Sequence, residues 1–361
     1  MSSGKRVSKE KYDVVIVGSG PAGASTAKAL TGRSLRVMIV EMKKLPRYKM
    51  CTGLLVPTAV KFISENFGDI PDKAYSDPMD IMGLRAYLTM DSPVTELPFR
   101  LFSDKPDLPT KGVSAKRPEL DYWLCSCSDA AIVDQCKFVD CRKQNNEIMI
   151  KLEINKEVIE VATNYLVGAD GTLSRVRKVL SPDFDRGIGL ISNYEEWYLG
   201  KIDLEPGWVY CFYDRKLTGF YACLFQKNNQ IIAVTGVKQQ ESVKEFFQEY
   251  LKYLKRKHGL IVREKVASHG CVIHDMSATN NFYMGEGNVL LAGEAAGFNR
   301  CSEGITPALI TGRAAGESVL KSIESGQPAF EFYSRVVLSE IKACTKASRL
   351  MEQKLGINVF T

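Results

Sequence analysis

The chain has 361 residues, 45% hydrophobic and 25% charged, which excludes disordered, collagen-like and coiled-coil classes. Its length suits one large domain or two interleaved ones. The net charge is +6, with +3 in residues 1–11 and +3 in residues 335–361; the intervening 323 residues are neutral, which argues against the basic stripe of a nucleic-acid binder. No window holds eighteen uninterrupted apolar residues, so no transmembrane helix is expected. The polar start Met1–Lys11 lacks the apolar core of a secretory signal. The ten cysteines include no CxxC pair, and no histidine lies at zinc-finger spacing from one. The expectation is a cytoplasmic protein with reduced thiols, no disulfide framework and no metal site. The basic ends read as solvated termini; the alternative is peripheral contact with an anionic inner-membrane surface.

The first element is the valine-rich run Tyr12–Gly18, which reads as a buried parallel strand. It ends in Gly18-Ser-Gly20-Pro21-Ala22-Gly23, and a small-residue helix follows to Leu30. A second strand, Leu35–Glu41, closes in an acid. This is the βαβ dinucleotide fingerprint in full context. Gly18 permits the tight turn, Gly20 lets backbone approach a pyrophosphate, and Gly23 lets helix and strand pack closely. The helix N-terminus offers free N–H groups and a positive dipole end to phosphate. Glu41 can accept bonds from ribose hydroxyls. The fingerprint alone does not choose between FAD and NAD.

Residues 42–60 do not return to a Rossmann repeat. Residues 71–111 and 186–282 alternate apolar and polar positions, as in Gly219–Phe225 and Gln230–Gly236, and read as an antiparallel sheet with one helix over Lys244–Lys257. A strand ending in Asp170-Gly171 precedes a helix carrying Ser174, Arg175 and Arg177. A further strand at Asn288–Ala292 leads into Gly293-Glu294, a loop, and a helix from about Ile305, where Pro307 suits the first turn. The C-terminal segment from Phe330 to Leu355 places Val337, Ile341, Cys344, Met351 and Leu355 on one helical face. It reads as an amphipathic helix docked on the body, with a basic membrane-surface helix as the alternative. His258, in a Lys-Arg-Lys-His cluster, reads as a solvated helix end; His269 and His274 flank a strand and show no triad or metal pattern.

These motifs, in this order and spacing, resemble the FAD-dependent oxidoreductases of the p-hydroxybenzoate hydroxylase type, and within them the geranylgeranyl reductase family. The resemblance spans most of the chain. It implies an α/β fold (α+β overall): a Rossmann-like FAD-binding domain with a second, antiparallel-sheet substrate domain. The boundaries expected are 1–70, 112–185 and 283–328 for the FAD domain, 71–111 and 186–282 for the substrate sheet, and 329–361 for the C-terminal helix. The resemblance assigns Gly18, Gly20, Pro21, Ala22, Gly23 and Glu41 to the ADP part of FAD. It likens Arg47, Cys51, Thr52 and Gly53 to the family's Cys-Gly-Gly loop beside the flavin ring, with Thr52 in place of the second glycine. Arg117 matches the Arg of an Arg-x-x-hydrophobic-Asp helix, and Asp170-Gly171 the motif near the pyrophosphate. Gly293-Glu294 matches the Gly-Asp motif at the ribityl chain with Glu replacing Asp; Gly304 and Ile305 match the helix start at the flavin N1–C2 carbonyl edge.

Tyr221-Ala-Cys223-Leu-Phe225-Gln resembles the family's Tyr-x-Trp-x-Phe-Pro strand, with Cys223 at the Trp position. That implies Cys223 and Phe225 in the substrate pocket, with Trp197, Trp208 or Phe220 as candidates to fill the lost volume, and an ordinary core strand is the alternative; the resemblance also brings the loop of Cys301 to the flavin, where Cys301 faces the same pocket. Cys51 and Tyr221 are the candidate proton donors. A Cys51–Cys301 redox pair is a further option. The Trp-x-Trp-x-Ile-Pro motif of flavin halogenases is absent from the sequence. The leading expectation is a reductase that delivers hydride from reduced FAD to a carbon–carbon double bond of an apolar, prenyl-lipid-like small molecule. The single dinucleotide fingerprint implies transient NAD(P)H or another electron donor. The alternatives are a monooxygenase acting on an aromatic or polyketide-like substrate, and a flavin-binding sensor or electron-transfer protein.

Overall fold

The computed structural model describes residues 11–102, 107–238, 240–274, 281–300 and 303–355. It divides into two compact units. The first comprises the described residues of Met1–Tyr48, Pro118–Ile188 and Thr279–Ala347, and the second those of Lys49–Arg117, Gly189–Ala278 and Ser348–Thr361.

The first unit is built on an eight-stranded sheet. Its core is five parallel strands in the order Val289–Leu291, Glu157–Gly168, Tyr12–Val17, Val37–Val40, Ala131–Val133. Val14, Val15 and Ile16 are wholly buried, as a parallel strand covered on both faces requires. The strand Glu157–Gly168 has two roles. Its first half forms a hairpin with Glu147–Ile154, turned by Asn155 and Lys156 at positive φ, and its last residues pair in parallel with Tyr12–Val17.

Two helices of this unit pack through small residues. The helix Pro21–Leu30 meets the helix Ile305–Ser325 where a Cβ at Gly312 would lie 2.2 Å from the Ala22 carbonyl oxygen. Ser25 Oγ donates to the Leu309 carbonyl (2.7 Å) and Thr26 Oγ1 to the Gly312 carbonyl (2.9 Å). The C-terminal segment is two helices, Ala329–Val336 and Leu338–Leu355, rather than the single one expected. The break falls at Val337, itself 1% exposed. Among the described residues no helix is long and apolar enough to cross a membrane.

The second unit is built on a seven-stranded sheet in the order Ile261–His274, Leu190–Lys201, Gln230–Lys238, Ala222–Lys227, Trp208–Phe212, Gly83–Tyr87, Thr95–Pro98. All pairings are antiparallel except Trp208–Phe212 with Gly83–Tyr87, so the sheet is mixed where pure antiparallel pairing was expected. Asn228 and Asn229, both at positive φ, make the two-residue turn between the strands Ala222–Lys227 and Gln230–Lys238. Residues 49–70 and 112–117, expected with the nucleotide part, group here. The cause is a three-stranded sheet in which Leu54–Leu55 pairs with Gly112–Ala115, and that with Tyr75–Ile81.

One face of the seven-stranded sheet is covered by the helix Val243–Lys257, whose Phe247, Tyr250, Tyr253 and Leu254 pack with Tyr210, Phe212, Ala222 and Leu224. His258 caps that helix and is 8% exposed, not solvated as its basic neighbours suggested. Its ring lies 5.2 Å from Tyr87, 5.3 Å from Tyr253 and 5.7 Å from Phe212. Burial pushes its pKa down, Lys257 adds to that, and Asp203 opposes it. The folded state therefore takes up this proton less readily than the unfolded chain. Stability is intact above the free histidine value near 6.5 and falls as pH drops below it. Urea unfolding between pH 8 and 5 should show this loss, and His258→Gln should flatten it.

Candidate functional site

In the first unit, segments distant in sequence converge at the C-terminal ends of the parallel strands, where open α/β sheets bind ligands. Gly18 has φ +107°, a conformation glycine adopts without strain, and a Cβ there would lie 2.4 Å from the Ala169 carbonyl oxygen. A Cβ at Gly23 would lie 2.0 Å from the Gly18 carbonyl oxygen. Gly20 has no such obstruction; its nearest neighbour is an Arg47 guanidinium nitrogen at 3.6 Å. The helix behind it starts at Pro21 with no side-chain cap, so its first N–H groups remain available to an anion. This cradle fits a dinucleotide pyrophosphate.

Glu41 is buried and held from several sides. Its Oε2 accepts from Ser19 Oγ (2.7 Å), Ser19 N–H (3.3 Å) and Arg47 Nε (2.9 Å), and its Oε1 from Lys43 N–H (2.9 Å). Burial alone would raise its pKa, but the Arg47 charge and these hydrogen bonds outweigh it and hold the carboxyl below its usual range. Arg47 also reaches Asp121, 1% exposed, at 3.1 Å. The acid expected at the ribose is thus part of a preorganised Asp121–Arg47–Glu41 chain beside Gly20.

Asp170 of the Asp-Gly pair braces the start of the helix Arg175–Leu180, whose N-cap is Ser174. Its Oδ1 accepts from Ser174 Oγ (2.6 Å) and its Oδ2 from the N–H groups of Arg175 (2.6 Å) and Val176 (3.2 Å). Gly171 follows at φ +79°. A Cβ at Gly293 would lie 3.1 Å from the Ala22 Cβ, which places the third motif against the first. Glu294 accepts from Thr172 Oγ1 (3.0 Å) and Asn299 Nδ2 (2.9 Å), and lies 3.9 Å from the Cβ position of Gly304. Gly304 caps the helix Ile305–Ser325, and Glu303 Oε1 accepts from the N–H groups of Ile305 (2.9 Å) and Thr306 (2.8 Å). The sequence reading did not assign this carboxylate.

It also missed the clamp that joins the second and third motifs. Arg177, 1% exposed, pairs with Asp185 (2.8 Å) and donates to the carbonyls of Thr172 (2.7 Å) and Ala295 (2.7 Å). A buried guanidinium with three fixed acceptors holds the two loops in register. Its neighbour Arg175, by contrast, bonds the Val139 carbonyl on the exposed side.

In the second unit, Cys51, Thr52 and Gly53 form a tight loop: the Gly53 N–H donates to Cys51 Sγ (3.4 Å). Gly53 has φ +70°, and a Cβ there would lie 2.0 Å from the Ala115 carbonyl oxygen. Arg117 follows at the start of the helix Arg117–Ser126 and is 7% exposed. The sheet face opposite the helix Val243–Lys257 carries Cys223, Phe225 and Lys227 at alternate positions. Pairing extends the row of Cys223 to Cys211 on one side and to Val234 and Glu195 on the other. Trp197, whose register runs through Ile232 to Phe225, shares this face. Trp208 lies on the other face, in the cluster beneath the helix, and cannot replace the missing tryptophan at Cys223. Tyr221 lies before the strand, with its ring 5.2 Å from Phe220. Nine of the ten cysteines are among the described residues; Cys301, expected in the pocket, lies outside them.

No protein-family profile matches the chain. An uncharacterized protein of Methanosarcina barkeri is 27% identical over 93% of this chain and 82% of its own length. The protein CbrA of Escherichia coli is 26% identical over 89% and 85%. Among solved structures, a geranylgeranyl bacteriochlorophyll reductase-like protein from Thermoplasma acidophilum superposes with a TM-score of 0.74 at 17% identity, over 96% of this chain and 84% of that one. Aklavinone-11 hydroxylase, solved with FAD and aklavinone, superposes at 0.69 with 17% identity, over 96% and 70%. The flavin-dependent halogenase CmlS superposes at 0.70 with 15% identity, over 94% and 63%. The fold is that of the p-hydroxybenzoate hydroxylase-like flavoproteins, whose members include reductase-like proteins, hydroxylases and halogenases.

Arg177→Met would strip the donor from two carbonyls and leave Asp185 with Lys178 alone, and should lower stability by about 1–3 kcal/mol. Gly23→Ala should cost about 1–3 kcal/mol through overpacking against Gly18. Denaturant midpoints against the unmodified protein measure both.

Proposed function

We propose that the chain is an FAD-dependent oxidoreductase, and that it saturates a carbon–carbon double bond of an apolar, prenyl-lipid-like substrate. The observation that carries the cofactor assignment is the convergence of Gly18–Gly23, Asp170-Gly171 and Gly293-Glu294 on one end of the parallel sheet. In this reading the uncapped Pro21–Leu30 helix and Gly20 receive the pyrophosphate. Glu41, pre-set by Arg47, accepts from the adenosine ribose. Glu294, held by Thr172 and Asn299, accepts from the ribityl chain in the place of an aspartate. The bound and reduced cofactor supplies hydride. NAD(P)H, meeting the protein transiently, is the proposed source of the electrons.

The substrate half of the reading rests on the second unit. The face carrying Cys211, Cys223, Phe225 and Val234 is apolar, with a buried Glu195 and Lys227 as its charged members. Such a lining selects a hydrocarbon chain and leaves few groups to move a proton. Cys51 is the side chain assigned to deliver it.

The test is anaerobic incubation of the cofactor-loaded protein with a chemical reductant and a panel of geranylgeranyl lipids, read by mass. The reading expects a gain of two hydrogens per double bond. It also expects Cys51→Ala to slow that gain about 100-fold while leaving cofactor content unchanged. Incorporation of one oxygen atom in air, with no saturation, would instead establish the monooxygenase alternative.

A further inference from the structure

The sheet face opposite the helix Val243–Lys257 carries a polar run on the strand Leu190–Lys201, and neither the motifs nor the fold comparison gives that run a role. Asn193, Glu195 and Trp197 alternate along the strand and so share this face. Glu195 is 1% exposed and Asn193 6%. Trp197 Nε1 donates to Glu195 Oε1 (2.9 Å), and the Trp197 ring lies 6.0 Å from that of His269 on the neighbouring strand. Asn193 Nδ2 donates to the Ile191 carbonyl (3.4 Å), which fixes the end of the amide that is nitrogen. The Oδ1 end is turned over Gly236, where a Cβ would lie 2.8 Å from it. That oxygen is buried, and no described residue donates a hydrogen bond to it.

A buried carbonyl oxygen without a donor costs free energy that a bound donor returns. Its neighbours decide what kind of donor fits. Trp197 spends its one side-chain N–H on Glu195, and Asn193 turns its amide nitrogen to Ile191. The run therefore presents acceptors, Asn193 Oδ1 beside the Glu195 carboxylate. An O–H group completes it, whereas a phosphate would bring further acceptors and negative charge up to Glu195. We propose that Asn193 is the specificity-determining residue for the polar end of the substrate: its Oδ1 accepts a hydrogen bond from a hydroxyl at one end of an apolar chain, so that the neutral alcohol is taken in preference to the corresponding diphosphate. This rests on the reading of the same face as the wall that receives a prenyl-lipid-like substrate.

The placement suits a long chain held by one end. Glu195 pairs with Val234 and Val234 with Cys223, and Phe225 follows two positions along that strand. All three are buried, so the wall beside the acceptors is apolar. The glycine at 236 leaves the space the Asn193 carboxamide occupies; a side chain there would displace it. Lys227, the buried cation of this face, stands four residues along from Cys223, about 13 Å in an extended strand. Its Nζ already donates to the carbonyls of Ala115 and Thr52, so it does not neutralise an anion at Asn193.

The readout is equilibrium dialysis of geranylgeraniol, its methyl ether and geranylgeranyl diphosphate against the full, cofactor-loaded chain. The ether keeps the hydrocarbon and the oxygen and lacks the O–H donor. The alcohol should bind about tenfold more tightly than the ether, and the diphosphate more weakly than either. Asn193→Leu, close in volume, should bring alcohol and ether to within about twofold of each other while leaving the affinity for the ether unchanged. The three ligands compared on the unmodified protein decide the matter even where that variant does not fold. Equal affinity for alcohol and ether, or a preference for the diphosphate, would overturn the proposal. 1-Dodecanol and its methyl ether separate the site from the prenyl reading. A tenfold preference within that pair, with no binding of the geranylgeranyl compounds, would overturn the prenyl reading and support the site. No preference for the alcohol in either pair would overturn the site.

Discussion

Everything at the nucleotide end of the first unit depends on backbone approaching backbone with no side chain between. Gly18 lies against Ala169, Gly23 against Gly18, and Gly312 against Ala22. Each contact is closer than any Cβ allows. Together they bring the strand Tyr12–Val17, the strand Glu157–Gly168 and two helices to a single point. The small-residue seam is sealed by hydroxyls: Ser25 and Thr26 bond carbonyls of the facing helix, and Thr311 accepts from the Gly293 N–H at 2.9 Å. These bonds satisfy polar groups that a dry interface would otherwise leave unpaired. The result is a rigid floor on which the loops carrying Asp170 and Glu294 are laid.

Charge then fixes what geometry brings together. Arg47 links Glu41 to Asp121, Arg177 links Asp185 to two loop carbonyls, and Arg300 pairs with Glu340 on the C-terminal helix. In each case an arginine fork is desolvated and matched with fixed acceptors, the arrangement in which its planar shape exceeds a lysine in specificity. The second unit uses a different device. Its covered sheet face is an aromatic layer under Val243–Lys257, and its other face keeps one amine, Lys227, among thiols and hydrocarbon.

The strands and helices of both units were largely legible because their signals are local. The valine run at Tyr12, the small-residue helix after Gly20 and the amphipathic pattern ending at Lys257 all gave elements within a few residues of those observed. What sequence could not show was which distant side chains meet. Arg177 looked like one of several basic residues on a short helix, and only the fold brings Ala295 and Thr172 to it. His258 looked solvated among lysines, yet Gly259 at φ +60° turns the chain there, and the ring packs among Tyr87, Phe212 and Tyr253. The parallel pairing of Trp208–Phe212 with Gly83–Tyr87 joins segments over a hundred residues apart, beyond the reach of any alternation pattern. Lys227 was within reach: strand alternation from Cys223 through Phe225 lands on it, and its sign of charge concealed that it faces inward.

The central claim is that the converging glycine and acid motifs hold FAD. The most direct measurement is the visible absorption spectrum of the purified protein, repeated after denaturation with the released chromophore identified by mass. The account predicts a yellow protein with the absorption bands of bound flavin, and about one FAD released per chain. A colourless protein that takes up no FAD on reconstitution would contradict it, and the cradle at Gly18 would then belong to another nucleotide.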